Sequence, residues 1–360
     1  MDHAIRMEKS TRLKPKPEAQ EKLGFGKYFT DHMFLMDYSE ELGWYDPRIV
    51  PYAPLTMDPA SMVFHYGQAI FEGLKAFKAK DGRILLFRPD QNAKRMNASC
   101  ERMNMPLVDE AFFVEALQKL VTLDASWIPD KAGAFLYVRP FMIATEAALG
   151  VRASNRYLFA VIMSPVEGLY EAGMEPVRIR VEDEFVRAAP GGTGTAKTAG
   201  NYAGSLRAQQ LAKEDGCSQV MWLDASERAY IEEVGSMNVF FKINGVVCTP
   251  ELNGSILDGI TRKSVLHLLE QWEVPVQIRR ISIDELVQAA KENILEEAFG
   301  TGTAAVISPI GSLRWKGQEI IINEGKMGPI SSKVYDTLTG IQGGEIRDPY
   351  EWVIECSEKI

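Results

Sequence analysis

Short apolar runs bounded by turn-forming residues dominate the first half of the chain. Residues 34–38 read as a strand that runs into an acidic turn at 39–43. The runs LKAFKAK and RILLF flank Asp81-Gly82, which predicts a hairpin with a strand on each side. Arg88-Pro89-Asp90 then opens a helix to about Met103, because proline fits the first helical turn. Apolar positions at helical spacing predict a second helix over 112–123. Residues 134–142 and 157–164 are short continuous apolar runs, the pattern of buried strands.

Residues 165–176 (PVEGLYEAGMEP) lack any apolar period and carry two prolines and two glycines, the pattern of a linker. The expected organisation is a smaller N-terminal α/β domain over 1–164 with an N-terminal arm, then this linker, then a larger C-terminal domain over 177–360. In the second half the pattern predicts strands at 177–181, 219–223, 229–231, 237–243 and 304–310. Helices are predicted at 204–214, 261–272, 283–290 and 331–341. Strands and helices alternate irregularly, so the fold class is mixed α/β or α+β.

Composition narrows the function. Forty basic against forty-nine acidic residues leave a net charge of −9, which argues against a basic nucleic-acid-binding surface. Cys100, Cys217, Cys248 and Cys356 form no CxxC pair, and the four histidines form no HxxxH or HxH pattern. Neither a disulfide framework nor a metal site is expected, and dispersed free thiols suit a reducing, cytoplasmic compartment. The N-terminal residues before Leu23 are polar and read as an arm rather than a signal peptide. No apolar run is long enough to span a membrane.

The segment from Gly191, GGTGTAKTAGNY, admits three readings. It nearly matches a phosphate-binding P-loop, with Val220 to Asp224 mimicking the metal-binding strand of an ATPase. Ala196 stands where that motif needs glycine, and Gly200 and Asn201 are poor material for the helix that should follow. A plain surface glycine loop is the second reading. The third makes Lys197 a Schiff-base lysine, which requires partial burial and neighbours that lower its pKa. Tyr202 then lies within reach of a phenolic cofactor oxygen, and the β-rich segment IEEVGSMN supplies a carboxylate, Glu233, for a protonated ring nitrogen. Spacing alone favours a solvated acidic pair, Glu232 with Glu233.

Across most of its length the sequence resembles the branched-chain-amino-acid aminotransferases, fold type IV pyridoxal-phosphate enzymes with the two-domain D-amino-acid-aminotransferase-like architecture. The resemblance runs in order through FGKYFTDHMF, HYGQAIFEGLKAF, LFRPDQNAKRM, LYVRP, GGTGTAKTAGNY, EEVGSMNVFF, ILDGITRKSVL and FGTGTAAVISP. It implies that Lys197 is the catalytic lysine bound to pyridoxal 5'-phosphate, that Tyr202 bonds the ring phenolate, and that Glu233 keeps the ring nitrogen protonated. Arg95, Gly259, Ile260, Thr261 and Thr303 would hold the phosphate, and Leu257 would pack on the ring. By helical position alone Arg95 would be a surface charge. A guanidinium fork nonetheless suits phosphate oxygens, and a helix starting near Thr261 would turn its positive end to the anion.

For substrate, the resemblance points to Phe25, Tyr66, Phe71, Tyr137, Arg139, Val151, Tyr170, Ser236, Met237 and Ala304. The set is mostly apolar, as a pocket for leucine, isoleucine and valine requires. Arg139 would receive the second carboxylate of glutamate or 2-oxoglutarate. Tyr66 and Val151 would reach a partner subunit's site, which implies a homodimer. No nucleic-acid or membrane partner is implied. Ala305 and Ser308 stand where some family members carry a redox-active CxxC, so that thiol switch is not expected. D-amino-acid aminotransferases and aminodeoxychorismate lyases share the lysine, glutamate and phosphate loop. LYVRP, the long N-terminal segment and the chain length favour the branched-chain enzymes.

Overall fold

The computed structural model describes residues 4–18, 22–131, 133–167 and 175–356. The middle of the expected linker, and Tyr170 with it, lies outside the described residues. The chain divides into two compact units. The first comprises Met1–Gly168, Ala196–Ala199 and Gly340–Ile360; the second comprises Leu169–Thr195 and Gly200–Thr339.

The first unit is built on one sheet. Its strands lie in the order Arg6–Met7, Gly43–Pro51, His32–Ser39, Arg156–Val166, Phe135–Ala144, Leu74–Lys78, Ile84–Phe87 and Val353–Glu355, and Ala69–Phe71 also pairs with Phe135–Ala144. The long central pair is antiparallel from Phe135 opposite Val166 to Ala144 opposite Tyr157. The Asp81-Gly82 hairpin forms as its sequence predicts, with Gly82 at φ 89° and Asp81 accepting from the Arg83 N–H. Helix Pro89–Met103 starts at its proline, and helix Glu110–Leu123 is capped by Asp109, whose carboxylate accepts from the Phe112 N–H at 2.8 Å. Their apolar faces, including Met96, Cys100, Phe113 and Leu117, bury against Phe34, Leu136 and Phe159 of the sheet.

The polar N-terminal arm is more structured than its sequence suggests. Arg6 and Met7 pair in parallel with Arg48 and Ile49. The Ser10 N–H donates to His32 Nε2 at 2.8 Å, so Nδ1 carries the ring proton and donates to Asp124 at 2.7 Å. The Lys14 N–H reaches Asp31 at 2.7 Å. Backbone and polar bonds hold the arm, so it leaves no hydrophobic period to read.

The second unit carries the other sheet. Its order is Ile231–Val234, Gln219–Leu223, Val177–Glu182, Val306–Trp315, Leu295–Gly302, Asn238–Ile243, Val246–Thr249 and Val276–Ile278, with Gln318–Ile321 beside Val306–Trp315. The strand expected at 229–231 is instead Ile231–Val234, and that expected at 304–310 is Val306–Trp315. The helix expected over 204–214 is Leu206–Glu214, and a short further helix, Ala199–Ala203, precedes it. All four residues of Ile231–Val234 are buried, so no polar–apolar alternation marked its bounds.

Candidate active site

In the first unit, the Lys197 backbone is pinned on both sides. Its N–H donates to Ser99 Oγ at 2.9 Å, and its carbonyl accepts from the Phe71 N–H at 3.0 Å. Thr198 Oγ1 donates to the Ala69 carbonyl at 2.7 Å. The short strand Ala69–Phe71 therefore fixes where the lysine starts. Its ammonium lies 5.0 Å from the centre of the Phe71 ring. Burial, and after it the positive charge of Arg95, lowers the Lys197 pKa from 10.5 to about 8.

Arg95, on helix Pro89–Met103, is not the surface charge its helical position suggests. Its Nε and Nη2 donate to the two carboxylate oxygens of Glu72, each at 2.8 Å. Glu72 is fully buried and also accepts from Asn92 at 2.7 Å. Burial pushes its carboxyl up, but Arg95 and the other partners outweigh burial and hold it below the ordinary carboxylate range.

Around this lysine the unit gathers other expected residues. Arg139 lies over the ring of Phe71 at 4.7 Å and donates to the Tyr137 hydroxyl at 3.1 Å. Phe25 meets Tyr137 edge-on at 4.8 Å. Arg139 Nε is buried with no hydrogen-bond partner among the described residues. Tyr66 and Val151 are elsewhere on the surface, at 39% and 86% exposure, and the Tyr66 hydroxyl donates to the Leu149 carbonyl.

The second unit holds a pocket lined by Arg187, Asn201, Tyr202, Ser205, Glu233, Gly235, Ser236 and Leu257. Glu233 is buried, as is Glu232, so the solvated acidic pair does not exist. Neighbours on one strand face opposite ways. Glu233 accepts from the Leu257 N–H at 2.8 Å and from Asn238 at 3.4 Å. Its other oxygen lies 3.0 Å from Arg187 Nε, an ion pair in which the N–H is not aligned as a hydrogen bond. Arg187 was not among the expected residues. It stands in a mixed segment before Pro190, where neither period nor motif marks it.

Gly259 caps helix Ile260–Gln271, whose first residues Ile260 and Thr261 are buried. A Cβ on Gly259 would overlap the Asn238 side chain, whose amide also donates to the Leu257 carbonyl at 2.8 Å. Thr303 and Ala304 sit in the turn between Leu295–Gly302 and Val306–Trp315, and Met237 packs over Gly300 and Gly302.

The amino-transferase class IV family model matches residues 69–313. That span contains Lys197 and Glu233. The chain belongs to the class IV aminotransferases, with the branched-chain-amino-acid aminotransferases as its relatives. Branched-chain-amino-acid aminotransferase 2 of Bacillus subtilis is 58% identical over 98% of this chain and 97% of its own. Branched-chain-amino-acid transaminase 1 of the same organism is 56% identical over 99% and 100%. The solved structure of the Escherichia coli branched-chain amino acid aminotransferase matches at a TM-score of 0.73 and 24% identity, covering 91% of this chain and 99% of that one. That likeness shows the fold: in this aminotransferase, mixed α/β with two sheets.

Proposed function

We propose that this aminotransferase moves an amino group reversibly between L-leucine, L-isoleucine or L-valine and 2-oxoglutarate, with pyridoxal 5'-phosphate as cofactor. The observation that carries the reading is Lys197, pinned by its backbone and with its pKa lowered to about 8. Such an amine has an appreciable uncharged fraction near neutrality, far more than a lysine at 10.5, as a lysine that bonds a carbonyl and then moves a proton needs.

The residues fit the cofactor by their chemistry. Glu233, anchored by the Leu257 N–H and Arg187, would hold a proton on the ring nitrogen. Tyr202 in the same pocket would donate to the phenolate oxygen, and Leu257 would cover a ring face. Arg95, the N-terminus at Gly259, Ile260 and Thr261, and Thr303 would hold the phosphate. When bound, the cofactor supplies an electron sink for the carbanion left as the substrate loses its α-proton. Lys197 moves that proton. Phe25, Phe71 and Tyr137 give the apolar wall that suits a branched side chain, with Met237, Ser236 and Ala304 as further substrate contacts. The buried Nε of Arg139, with no hydrogen-bond partner among the described residues, suits the second carboxylate of glutamate.

A homodimer and a cytoplasmic setting belong to the same reading. Exposed Phe64, Tyr66, Leu149 and Val151 support a surface met by a second copy, and the four buried free cysteines suit a reducing compartment. No helix among the described residues is long and apolar enough to cross a membrane.

The test is transfer from L-leucine to 2-oxoglutarate by protein loaded with pyridoxal phosphate. Lys197→Ala lowers turnover by at least about 10²–10⁴-fold, the usual share of a positioned proton-transfer group. Transfer from D-alanine in place of L-leucine would overturn the substrate assignment.

A further inference from the structure

The four residues Ala196–Ala199 group with the first unit, whereas the chain before and after them groups with the second. Their place in the first unit is therefore set by the contacts those residues make, not by a strand or helix that continues through them. Strand Ala69–Phe71 supplies backbone groups: the Phe71 N–H donates to the Lys197 carbonyl at 3.0 Å, and the Ala69 carbonyl accepts from Thr198 Oγ1 at 2.7 Å. On its other side the Lys197 N–H donates to a side chain, the hydroxyl of Ser99, at 2.9 Å.

Ser99 is 1% exposed and lies one turn after Arg95 on helix Pro89–Met103. A hydroxyl donates one bond and accepts others. Here Ser99 Oγ gives its proton to the Arg95 carbonyl at 3.0 Å and accepts from Lys197. The Arg95 side chain grips Glu72, and Glu72 follows Phe71, whose N–H holds the Lys197 carbonyl. The bonds thus close a ring through Lys197, Ser99, Arg95, Glu72 and Phe71. Nearly all of that ring is backbone or ion pair; Ser99 contributes a single hydroxyl.

We propose that Ser99 is a positioning residue for amino transfer, whose hydroxyl fixes the backbone of Lys197 relative to Arg95. The proposal rests on the reading of Lys197 as the group that moves the substrate's α-proton. That transfer needs the amine within hydrogen-bond reach of the reacting carbon. A lysine stem of four flexible carbons reaches a fixed point reproducibly only from a fixed start. A residue that sets this start acts on turnover and not on substrate affinity. It also acts on the amine itself, because burial is the largest cause of the lowered Lys197 pKa. The charged and titratable groups that face the amine are Arg95 and Arg139, which lower its pKa, and Glu72 and Tyr137, which raise it.

Three variants test the hydroxyl. Ser99→Ala removes it and favours the helix, since alanine is the better helix former. Ser99→Thr keeps it, with Oγ1 able to bond the carbonyl one turn back. Ser99→Val has the shape of threonine without the hydroxyl. In cofactor-free protein, the pH midpoint for reaction of Lys197 with an amine-selective reagent is followed on the Lys197 peptide by mass spectrometry. In protein loaded with pyridoxal phosphate, kcat and KM are measured for L-leucine with 2-oxoglutarate. Ser99→Ala and Ser99→Val move the midpoint up from near pH 8 toward 10.5, as the released amine gains water. Both lower kcat by about 10–100-fold and leave KM within about twofold, the pattern of a misplaced reacting group. Ser99→Thr stays near the parent in both measurements. The proposal is overturned if Ser99→Ala keeps the parent's midpoint or its kcat, or if Ser99→Thr is no better than Ser99→Val. Full turnover in Lys197→Ala would instead sink the reading of the lysine, and the midpoints, taken without cofactor or substrate, would still report whether Ser99 places it.

Discussion

Arg95 meets Glu72 along both edges of the carboxylate, at 2.8 Å for each bond, and this pair sets the field at Lys197. Arg95 lowers the lysine pKa and Glu72 raises it, with the Arg95 effect the larger. In cofactor-free protein, the reaction of Lys197 with an amine-selective reagent should have its midpoint near pH 8. Glu72→Gln removes the raising charge and moves the midpoint down. Arg95→Gln moves it up even if Glu72 then takes a proton, because the larger effect is lost either way. Identical midpoints in all three proteins would refute the electrostatic account.

Arg187 is the buried counter-charge of Glu233. Arg187→Ala removes the cation beside the buried carboxylate and should cost about 3–5 kcal/mol of stability, as when one partner of a buried pair is removed. Glu233→Gln in the same background should recover part of it, since no charge then remains unpaired. Urea unfolding of the two single variants and the double variant measures the coupling directly.

Glycine in the lysine-bearing loop serves packing. A Cβ on Gly194 would overlap the backbone of Ser255. Gly194→Ala should destabilise by about 1–3 kcal/mol, the range for overpacking. A Cβ on Gly200 meets nothing within 4 Å, so Gly200→Ala should leave the melting temperature close to the parent's. Thermal melts of both variants separate packing from a general need for loop flexibility.

Lys75 is buried with its ammonium 4.0 Å from the Phe135 ring, and burial lowers its pKa from 10.5 to about 7. Between these values the unfolded chain holds a proton that the folded chain has released. Stability from this group therefore rises with pH from about 7 to 10.5. Lys75→Met should remove that rise, which unfolding curves at pH 7 and pH 9 would show as a smaller difference than in the parent.

Local pattern alone determines much of the architecture. Asp81-Gly82 and Pro89 mark a hairpin and a helix start because turns and first helical turns depend on neighbouring residues. The family resemblance likewise marks Lys197, Arg95 and Glu233 as candidates. What pattern does not contain is the environment of each charge. Arg95 looks like a surface residue until Glu72, twenty-three positions earlier, is brought against it. Glu232 and Glu233 look like one solvated pair until the strand that carries them is buried on both faces. Arg187 has no signal in sequence, since its partner lies far along the chain. Burial and pairing are properties of segments distant in sequence and adjacent in space. Only the tertiary structure decides which charges are buried and paired, and which pKa values are moved as a result.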